Sequence, residues 1–235
     1  MKLNIIIIAL LIFVSEAFTQ KLYHEYGVEW SFQFSDIENS NQNFTEKLRI
    51  SYFPNLYYNS QFNLSKYFGF FSGLCLNNSG ISTNEVMSSN FNELIKRRFI
   101  SAGIPLSLKF GKLSSKKYLF VGGEYEAAFH YKHKLFYNRS KVVKKSEWMS
   151  KRIPLFYPSV FCGINLAENF RISFKYYLSA FFNEDFQGLD FGENVDYSDY
   201  SKSNFFSINI SFPTVFKIKT EKDINQSASQ YALNK

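Results

Sequence analysis

A two-residue alternation of apolar and polar side chains recurs along almost the whole of this sequence. Its clearest instance covers residues 22–34, where even positions such as Val28 and Trp30 are mostly apolar and odd positions such as Glu25 and Glu29 are mostly polar. Because successive side chains of a β-strand point to opposite faces, this pattern predicts a strand with one aromatic face and one charged face. Repeated about eight times, it predicts an all-β fold, an eight-stranded antiparallel up-and-down transmembrane β-barrel whose apolar face contacts lipid.

Eight segments carry the alternation, and most reach the roughly 9 to 11 residues that a tilted strand needs to cross a bilayer. They cover residues 22–34, 44–58, 65–76, 98–110, 117–132, 155–166, 170–182 and 204–214. The connections after the second, fourth and sixth segments are short, whereas those after the third, fifth and seventh (77–97, 133–154 and 183–203) are long. Transmembrane barrels alternate short periplasmic turns with longer outer loops, so the lengths predict that topology.

The N-terminus has the features of a secretory signal peptide. Lys2 precedes an apolar run over residues 3–14, which is too short to cross a bilayer as a helix, and Ser15-Glu16-Ala17 resembles a small-x-small cleavage site. We therefore expect a signal peptide over 1–17, with cleavage after 19 or 20 as the alternatives. A barrel over 18–218 and a polar periplasmic tail over 219–235 complete the predicted organisation.

Composition narrows the classes of partner and cofactor. The net charge is +7, yet export argues against a nucleic-acid partner for a basic chain. The histidines and cysteines lack the spacing of a zinc site, so no metal or cofactor is predicted. Cys75 and Cys162 are expected on opposite faces of strands that are not neighbours, so we expect them to remain unpaired.

Ionisable side chains are concentrated on the polar faces of the predicted strands. In a barrel with an apolar outside, these charges face the lumen, where unpaired charges would cost several kcal/mol each. An eight-stranded barrel has room for side chains and little else, so we expect an ion-pair network that plugs the lumen. The predicted network comprises Glu25, Glu29, Arg49, Lys109, Glu124, Glu126, His130, Lys132, Arg171 and Lys175.

A catalytic interpretation would use Glu124, Glu126 and His130, which share one predicted face of the fifth segment. A histidine beside a carboxylate can orient and activate a nucleophile. No serine has a compelling position beside His130, so we assign no catalytic residue and predict that the protein is not an enzyme. A lipid-modifying outer-membrane hydrolase stays open as an alternative.

Two of the long loops carry opposite charge. The loop after the fifth segment is basic, the loop after the seventh is acidic, and both flank the hairpin of segments six and seven. We expect them to attract each other and form a lid, the alternative being two independent solvated loops. The predicted lid residues are Lys141, Lys144 and Lys145 on one loop and Asp190, Glu193 and Asp196 on the other.

The chain resembles the small outer-membrane β-barrel family of Gram-negative bacteria, the group similar to the OmpA transmembrane barrel without its periplasmic domain. The resemblance rests on the signal peptide, the eight alternating segments, inward glycines such as Gly69 and Gly73, and the aromatic last segment 207–212. It implies a cell-envelope protein of the outer membrane, inserted by the barrel-insertion machinery. Phe212 and Phe216 are the candidates for the aromatic signal that this machinery reads.

The sequence therefore predicts an integral outer-membrane barrel, monomeric, with a structural or surface-interaction role. Its expected partners are outer-membrane lipid, the barrel-insertion machinery and, through the basic loop, anionic lipopolysaccharide. The alternative from another class is a secreted soluble lipocalin-like barrel that binds a small apolar ligand, which would need the apolar face inside. Sequence alone shows two faces without stating which of them is inside.

Overall fold

The computed structural model describes residues 22–40, 44–86, 92–137, 140–190 and 193–216. The predicted signal peptide and the predicted polar tail lie outside this part of the chain. Its helices are two short 3-10 turns, Leu113–Ser115 and Tyr197–Asp199. No helix in these residues is long and apolar enough to span a membrane.

Eight antiparallel strands form a closed ring. The ring strands are β1 (Leu22–Glu38), β4 (Asn55–Asn63), β5 (Phe68–Val86), β6 (Asn92–Lys112), β7 (Lys117–Tyr137), β9 (Phe156–Ala167), β10 (Phe170–Tyr177) and β13 (Lys202–Phe216). In ring order, β1 pairs with β4, then β5, β6, β7, β9, β10 and β13 follow, and β13 pairs with β1 to close the sheet. The predicted eight-stranded antiparallel barrel is thereby confirmed.

Five further strands lie outside the ring order. They are β2 (Phe44–Glu46), β3 (Arg49–Ile50), β8 (Ser140–Trp148), β11 (Gln187–Asp190) and β12 (Glu193–Asp196). β2 pairs with β5, β3 with β1 and β8 with β7, while β11 and β12 form a separate hairpin. Short turns at 64–67, 113–116 and 168–169 mark one end of the barrel, which we call the turn end; the opposite end is the loop end.

Several strand limits differ from those predicted. Much of the predicted loops 77–97 and 133–154 is strand, because β5, β6, β7 and β8 continue their hydrogen-bond ladders beyond the ring at the loop end. The predicted strand 44–58 is divided into β2, β3 and β4. Between the pairs Phe32↔Ile50 and Glu29↔Asn55, four residues oppose two on β1, so the wall bulges and exposes 92% of Tyr52.

The outside of the ring is apolar and its inside is polar. Each ring strand exposes an aliphatic or aromatic side chain, between 41% and 64% accessible, while charged groups such as Lys109 and Glu126 are fully buried. The exposed set includes Tyr26, Leu56, Leu74, Leu106, Leu119, Val160, Phe174 and Ile208. A soluble protein buries apolar side chains and exposes charged ones, so the arrangement here is that of a barrel surrounded by lipid. It is the inverse of the apolar interior that the lipocalin-like alternative needs.

A β-bulge reverses the facing of β7 near its middle. Ile100 of β6 pairs with His130, but the next residue, Ser101, pairs with Ala128, so Phe129 is an extra residue on β7. One inserted residue moves every later side chain to the opposite face. Tyr131 and His133 consequently point inward and are buried. His130 and Lys132, predicted to face the lumen, point outward instead.

Candidate functional site

The first ion pair of the interior joins strands β10 and β1. Arg171 Nη2 donates to Glu25 Oε1 at 2.7 Å and to the Tyr118 hydroxyl at 2.9 Å, and Arg171 Nε donates to Asn165 Oδ1. The guanidinium also lies 5.6 Å and 5.3 Å from the ring centroids of Phe71 and Phe120. Arginine in this position satisfies several acceptors and packs on aromatic faces, which suits a buried, planar cation.

The second ion-pair centre lies closer to the loop end, two inward positions further along β10. Lys175 of β10 contacts Glu124 at 2.9 Å and Glu126 at 3.3 Å, both on β7. Glu124 also accepts hydrogen bonds from Cys75 and Asn77, and Glu126 accepts one from Ser101. Two buried carboxylates therefore share one ammonium, with neutral donors supplying the remaining hydrogen bonds, as buried charges require.

The other predicted lumen residues use neutral partners. Glu29 accepts from Asn55 and Ser211. Arg49 donates to Gln33 and Asn78, and Lys109 donates to Gln61 at 2.8 Å and Asn63 at 2.9 Å. The structure thus places eight of the ten predicted side chains in one polar interior. They form two ion-pair centres, while Glu29, Arg49 and Lys109 have neutral partners.

His130 and Lys132 are the two that do not join the interior. His130 Nε2 lies 2.7 Å from the Ser146 hydroxyl on β8, and its ring packs against Trp148. The wall of the barrel separates it from Glu124 and Glu126. The hydrolase interpretation, which needed these three groups on one face, has no such constellation here.

A cavity of about 60 Å³ lies between the two ion-pair centres, lined by Tyr57, Asn59, Arg171, Lys175 and Glu124 among others. This volume holds only a few water molecules. A group of His, Cys, Asp and Glu side chains suited to a metal ion is not found in the described residues.

Aromatic rings fill the barrel at its loop end. Phe99 stacks on Tyr157 with centroids 4.3 Å apart, and Tyr177 stacks on Phe205 at 4.0 Å. The loop between β10 and β13 adds further rings that pack against them. We call this cluster the aromatic cap; its rings are Phe99, Tyr131, Tyr157, Tyr177, Phe181, Phe182, Tyr197, Tyr200 and Phe205. Its rings pack against one another on the loop-end side of the charged centres.

The aromatic cap was not predicted from the sequence, although a signal was present. Phe99, Tyr157, Tyr177 and Phe205 are aromatic at positions whose parity is otherwise polar, and Phe181-Phe182 are adjacent in a predicted strand end. Aromatic side chains on both faces of one strand end indicate that this end is buried on both sides. A smaller cluster of buried apolar side chains packs together at the turn end; it consists of Phe71, Leu113, Tyr118, Phe120 and Phe161.

The two oppositely charged loops do meet, and Arg152 carries the described contact. Arg152 Nη2 donates to the Leu189 carbonyl at 2.5 Å, its guanidinium lies 4.6 Å from the Phe186 ring, and its backbone carbonyl accepts from Asn183. Arg152 also pairs with Glu147 at 3.2 Å. Partial burial acts to raise the pKa of Glu147, but hydrogen bonds from Ser150 and Lys145 and the charge of Arg152 hold it below its usual value.

The predicted lid residues lie elsewhere. Lys145 pairs with Glu147 on its own strand, and Lys141 and Lys144 lie opposite Phe136 and Lys134 of β7. Asp196 caps the turn that follows it, where hydrogen bonds from the Ser198 hydroxyl and amide lower its pKa. Asp190 and Glu193 pair with each other across the β11–β12 hairpin, and their side chains lie outside the described part. An ion pair between the lysines and these acids remains a prediction.

A closed ring of antiparallel strands with an apolar outside and a charged, packed inside defines a transmembrane β-barrel of the outer-membrane kind. Closure matters because a strand edge inside a bilayer would leave backbone groups without hydrogen bonds. The exposed apolar side chains on every ring strand form the surface that acyl chains contact.

Comparison with known proteins identifies structural neighbours only. Neither a family model nor a curated protein matches the sequence. The solved structure of Ail, the attachment invasion locus protein of Yersinia pestis, is similar over 81% of this chain and 98% of its own, at 13% identity and a TM-score of 0.36. Ail in complex with the heparin analogue sucrose octasulfate matches at 12% identity over 81% and 99%, with a TM-score of 0.31. The outer membrane protein OprG from Pseudomonas aeruginosa matches at 11% identity over 82% and 95%, with a TM-score of 0.36.

Proposed function

We propose that this protein is an integral, non-enzymatic outer-membrane barrel with a structural or surface-interaction role and a closed lumen. The observation that carries the proposal is the inverted burial, with charged residues enclosed by a ring whose outward side chains are apolar. Such a chain is stable only where its outside is removed from water. The ring itself supplies an area of lipid contact and holds its outer strands at the cell surface.

Two barriers in series support a closed lumen. The Lys175 centre and the Arg171 centre cross the interior, and the aromatic cap packs over them at the loop end. A solute would have to break buried ion pairs and displace stacked rings to pass. The role is therefore proposed to lie at the surface and in the membrane rather than in transport.

The proposed partners follow from the same surfaces. Outer-membrane lipid contacts the apolar band, and the barrel-insertion machinery recognises the aromatic last strand, where Phe212 is outward and packs edge-on against Trp30 of β1. The closed ring leaves no ring strand with a free edge, which supports a monomer.

Two measurements test the proposal. We expect the protein in the outer-membrane fraction, and we expect an unheated sample to migrate differently from a heated one in gel electrophoresis, since a folded barrel resists detergent until it is heated. In planar bilayers we expect no large steady conductance. A soluble periplasmic protein would refute the membrane assignment, and a stable large conductance would refute the closed lumen.

A matched pair of variants sharpens the conductance test. Replacing Phe181, Phe182 and Tyr200 by alanine removes rings from the aromatic cap, whereas replacing Phe174, Ile208 and Leu106 removes the same number of outward side chains. Transient openings should increase only in the first variant. Equal behaviour of the two would show that the aromatic cap is not a barrier.

A further inference from the structure

We propose that the outward face of the sheet beyond the ring, at the loop end, binds the phosphate groups of a glycolipid in the outer leaflet. We call this surface the basic face; it consists of Lys96, Arg98, Lys132, Lys134, Lys141 and Lys144. The inference rests on the proposed function, because it requires the barrel to lie in the outer membrane.

The strand register aligns these cations in rows across the sheet. Lys96, Lys134 and Lys144 are direct partners on β6, β7 and β8, and the next row consists of Arg98, Lys132 and Ser146. Side chains directly opposite each other lie about 5 Å apart, and rows two residues apart along a strand are separated by about 7 Å. Five cations therefore share a patch of two rows, with Lys141 at its end beside Phe136.

The β-bulge at Phe129 creates this arrangement. Without the extra residue, Lys132 and Lys134 would face the concave side, and Tyr131 and His133 would face outward. With it, both lysines are placed beside Arg98 and Lys96. The bulge thus places all of these charges on the outward face of the sheet. Without it, they would be divided between the outward and the concave faces.

Among the residues that the structure describes, no acidic side chain pairs with the basic face. Glu147 of β8 lies opposite Tyr131, on the other side of the sheet, where it pairs with Arg152 and Lys145. Partial burial and repulsion from neighbouring cations lower the pKa of Lys132 and of Lys134. Arg98 Nε and His130 Nδ1 are shielded from solvent and have no hydrogen-bond partner in the described residues. Like charges directly opposite each other destabilise a sheet, so an anionic ligand would relieve a cost built into this one.

The position of the basic face identifies the occupant. The row directly below it, toward the turn end, is Ile100, His130 and Trp148, and Trp148 is 73% exposed and stacks with Phe129. Exposed tryptophan next to an apolar band is typical of the level where acyl chains end and headgroups begin. Cations one row further out are at headgroup height, where lysine and arginine stems lie on apolar surface and their charges reach phosphate.

The test uses the folded full-length protein in zwitterionic detergent micelles and fluorescent lipid A as the probe. Anisotropy titrations compare bisphosphorylated lipid A with the dephosphorylated form. The triple variant R98Q/K132Q/K134Q removes part of the basic face, and the matched control K66Q/K112Q/K117Q removes three exposed cations at the turn end. A soluble sulfated oligosaccharide serves as a competing polyanion.

We expect the wild type to prefer the phosphorylated lipid, and the basic-face variant to bind it at least about tenfold more weakly, while the control retains wild-type affinity. Equal binding of both lipid A forms, or equal loss in both variants, would overturn the inference. So would tight binding of the soluble oligosaccharide through the same residues with no binding of lipid A, which would define a site for soluble polyanions.

The outcomes separate this inference from the proposed function. If the wild-type protein shows no heat-shifted band and no membrane fraction, the proposed function itself fails. If it folds and inserts but binds lipid A without regard to phosphate, only the basic-face inference fails. If the triple variant does not fold, the comparison of the two lipid A forms on the wild type still tests the basic-face inference.

Discussion

Arg171 and Glu25 form a buried ion pair across the barrel although they are 146 positions apart in the sequence, with 2.7 Å between Arg171 Nη2 and Glu25 Oε1. The pair joins β10 to β1, which are not neighbours in the ring: β13 lies between them. It therefore spans β13 on the inner side of the wall and holds β10 and β1 together. Both side chains are at most 5% exposed, so neither can exchange its partner for water.

Removing one member of this pair should be costly. We expect Arg171→Met to destabilise the barrel by about 3 to 5 kcal/mol, because it leaves the Glu25 carboxylate buried without a counter-charge. Denaturant unfolding in detergent micelles measures the change. The double variant Arg171→Met with Glu25→Leu should recover much of the loss, since both charges are then absent. Arg171→Met without effect on unfolding would show that the pair does not hold the interior together.

The aromatic cap should contribute comparably to stability. We expect Phe99→Ala to cost about 3 to 5 kcal/mol, because Phe99 is fully buried and its removal leaves a cavity among stacked rings. Ile104→Ala on the same strand is the control, since Ile104 is outward and 60% exposed. Acyl chains can fill the space it leaves, so a much smaller loss is expected. Equal losses in unfolding experiments would argue against a packed cap.

The two free cysteines provide a test of which face is inside. Cys75 points inward, is 7% exposed and donates a hydrogen bond to Glu124, whereas Cys162 points outward from β9. In the folded protein in membranes, we expect a lipid-soluble maleimide to label Cys162 and leave Cys75 unmodified, with both labelled after unfolding. Mass spectrometry of C75S and C162S variants assigns the site. Preferential labelling of Cys75 would mean that the faces are reversed.

Acidification should loosen the contact between the two loops. The pKa of Glu147 is held below its usual value, so the folded state gains stability from the ionised carboxylate above the ordinary glutamate pKa. That stability is lost as the pH falls through the lowered value, when protonation releases Arg152 and Lys145. Protection of residues 147–155 against hydrogen exchange, taken relative to the intrinsic exchange rate at each pH, should therefore fall at acidic pH in the wild type. In E147Q, protection should already be reduced at neutral pH, with little further response to acid.

Local side-chain chemistry by itself determines most of the fold. The alternation predicts the eight ring strands, and the short turns predict which consecutive strands form hairpins. Both features depend on residues that are close together in the chain. The structure places inside the barrel the charged side chains Glu25, Glu29, Arg49, Lys109, Glu124, Glu126, Arg171 and Lys175. A period of two is a property of the backbone, so it survives wherever the strand is regular.

The features that depend on the register between paired strands are determined only in the tertiary structure. The extra residue at Phe129 moved His130 and Lys132 to the outside, and nothing in the alternation of β7 alone marks it, because a bulge is defined by the pairing with β6. The same holds for the partner of Glu25 and for the rings that the loop after β10 packs over the barrel. Sequence thus determined the two faces of each strand, while pairing between distant strands determined which side chains meet, since contact depends on register and closure of the whole ring.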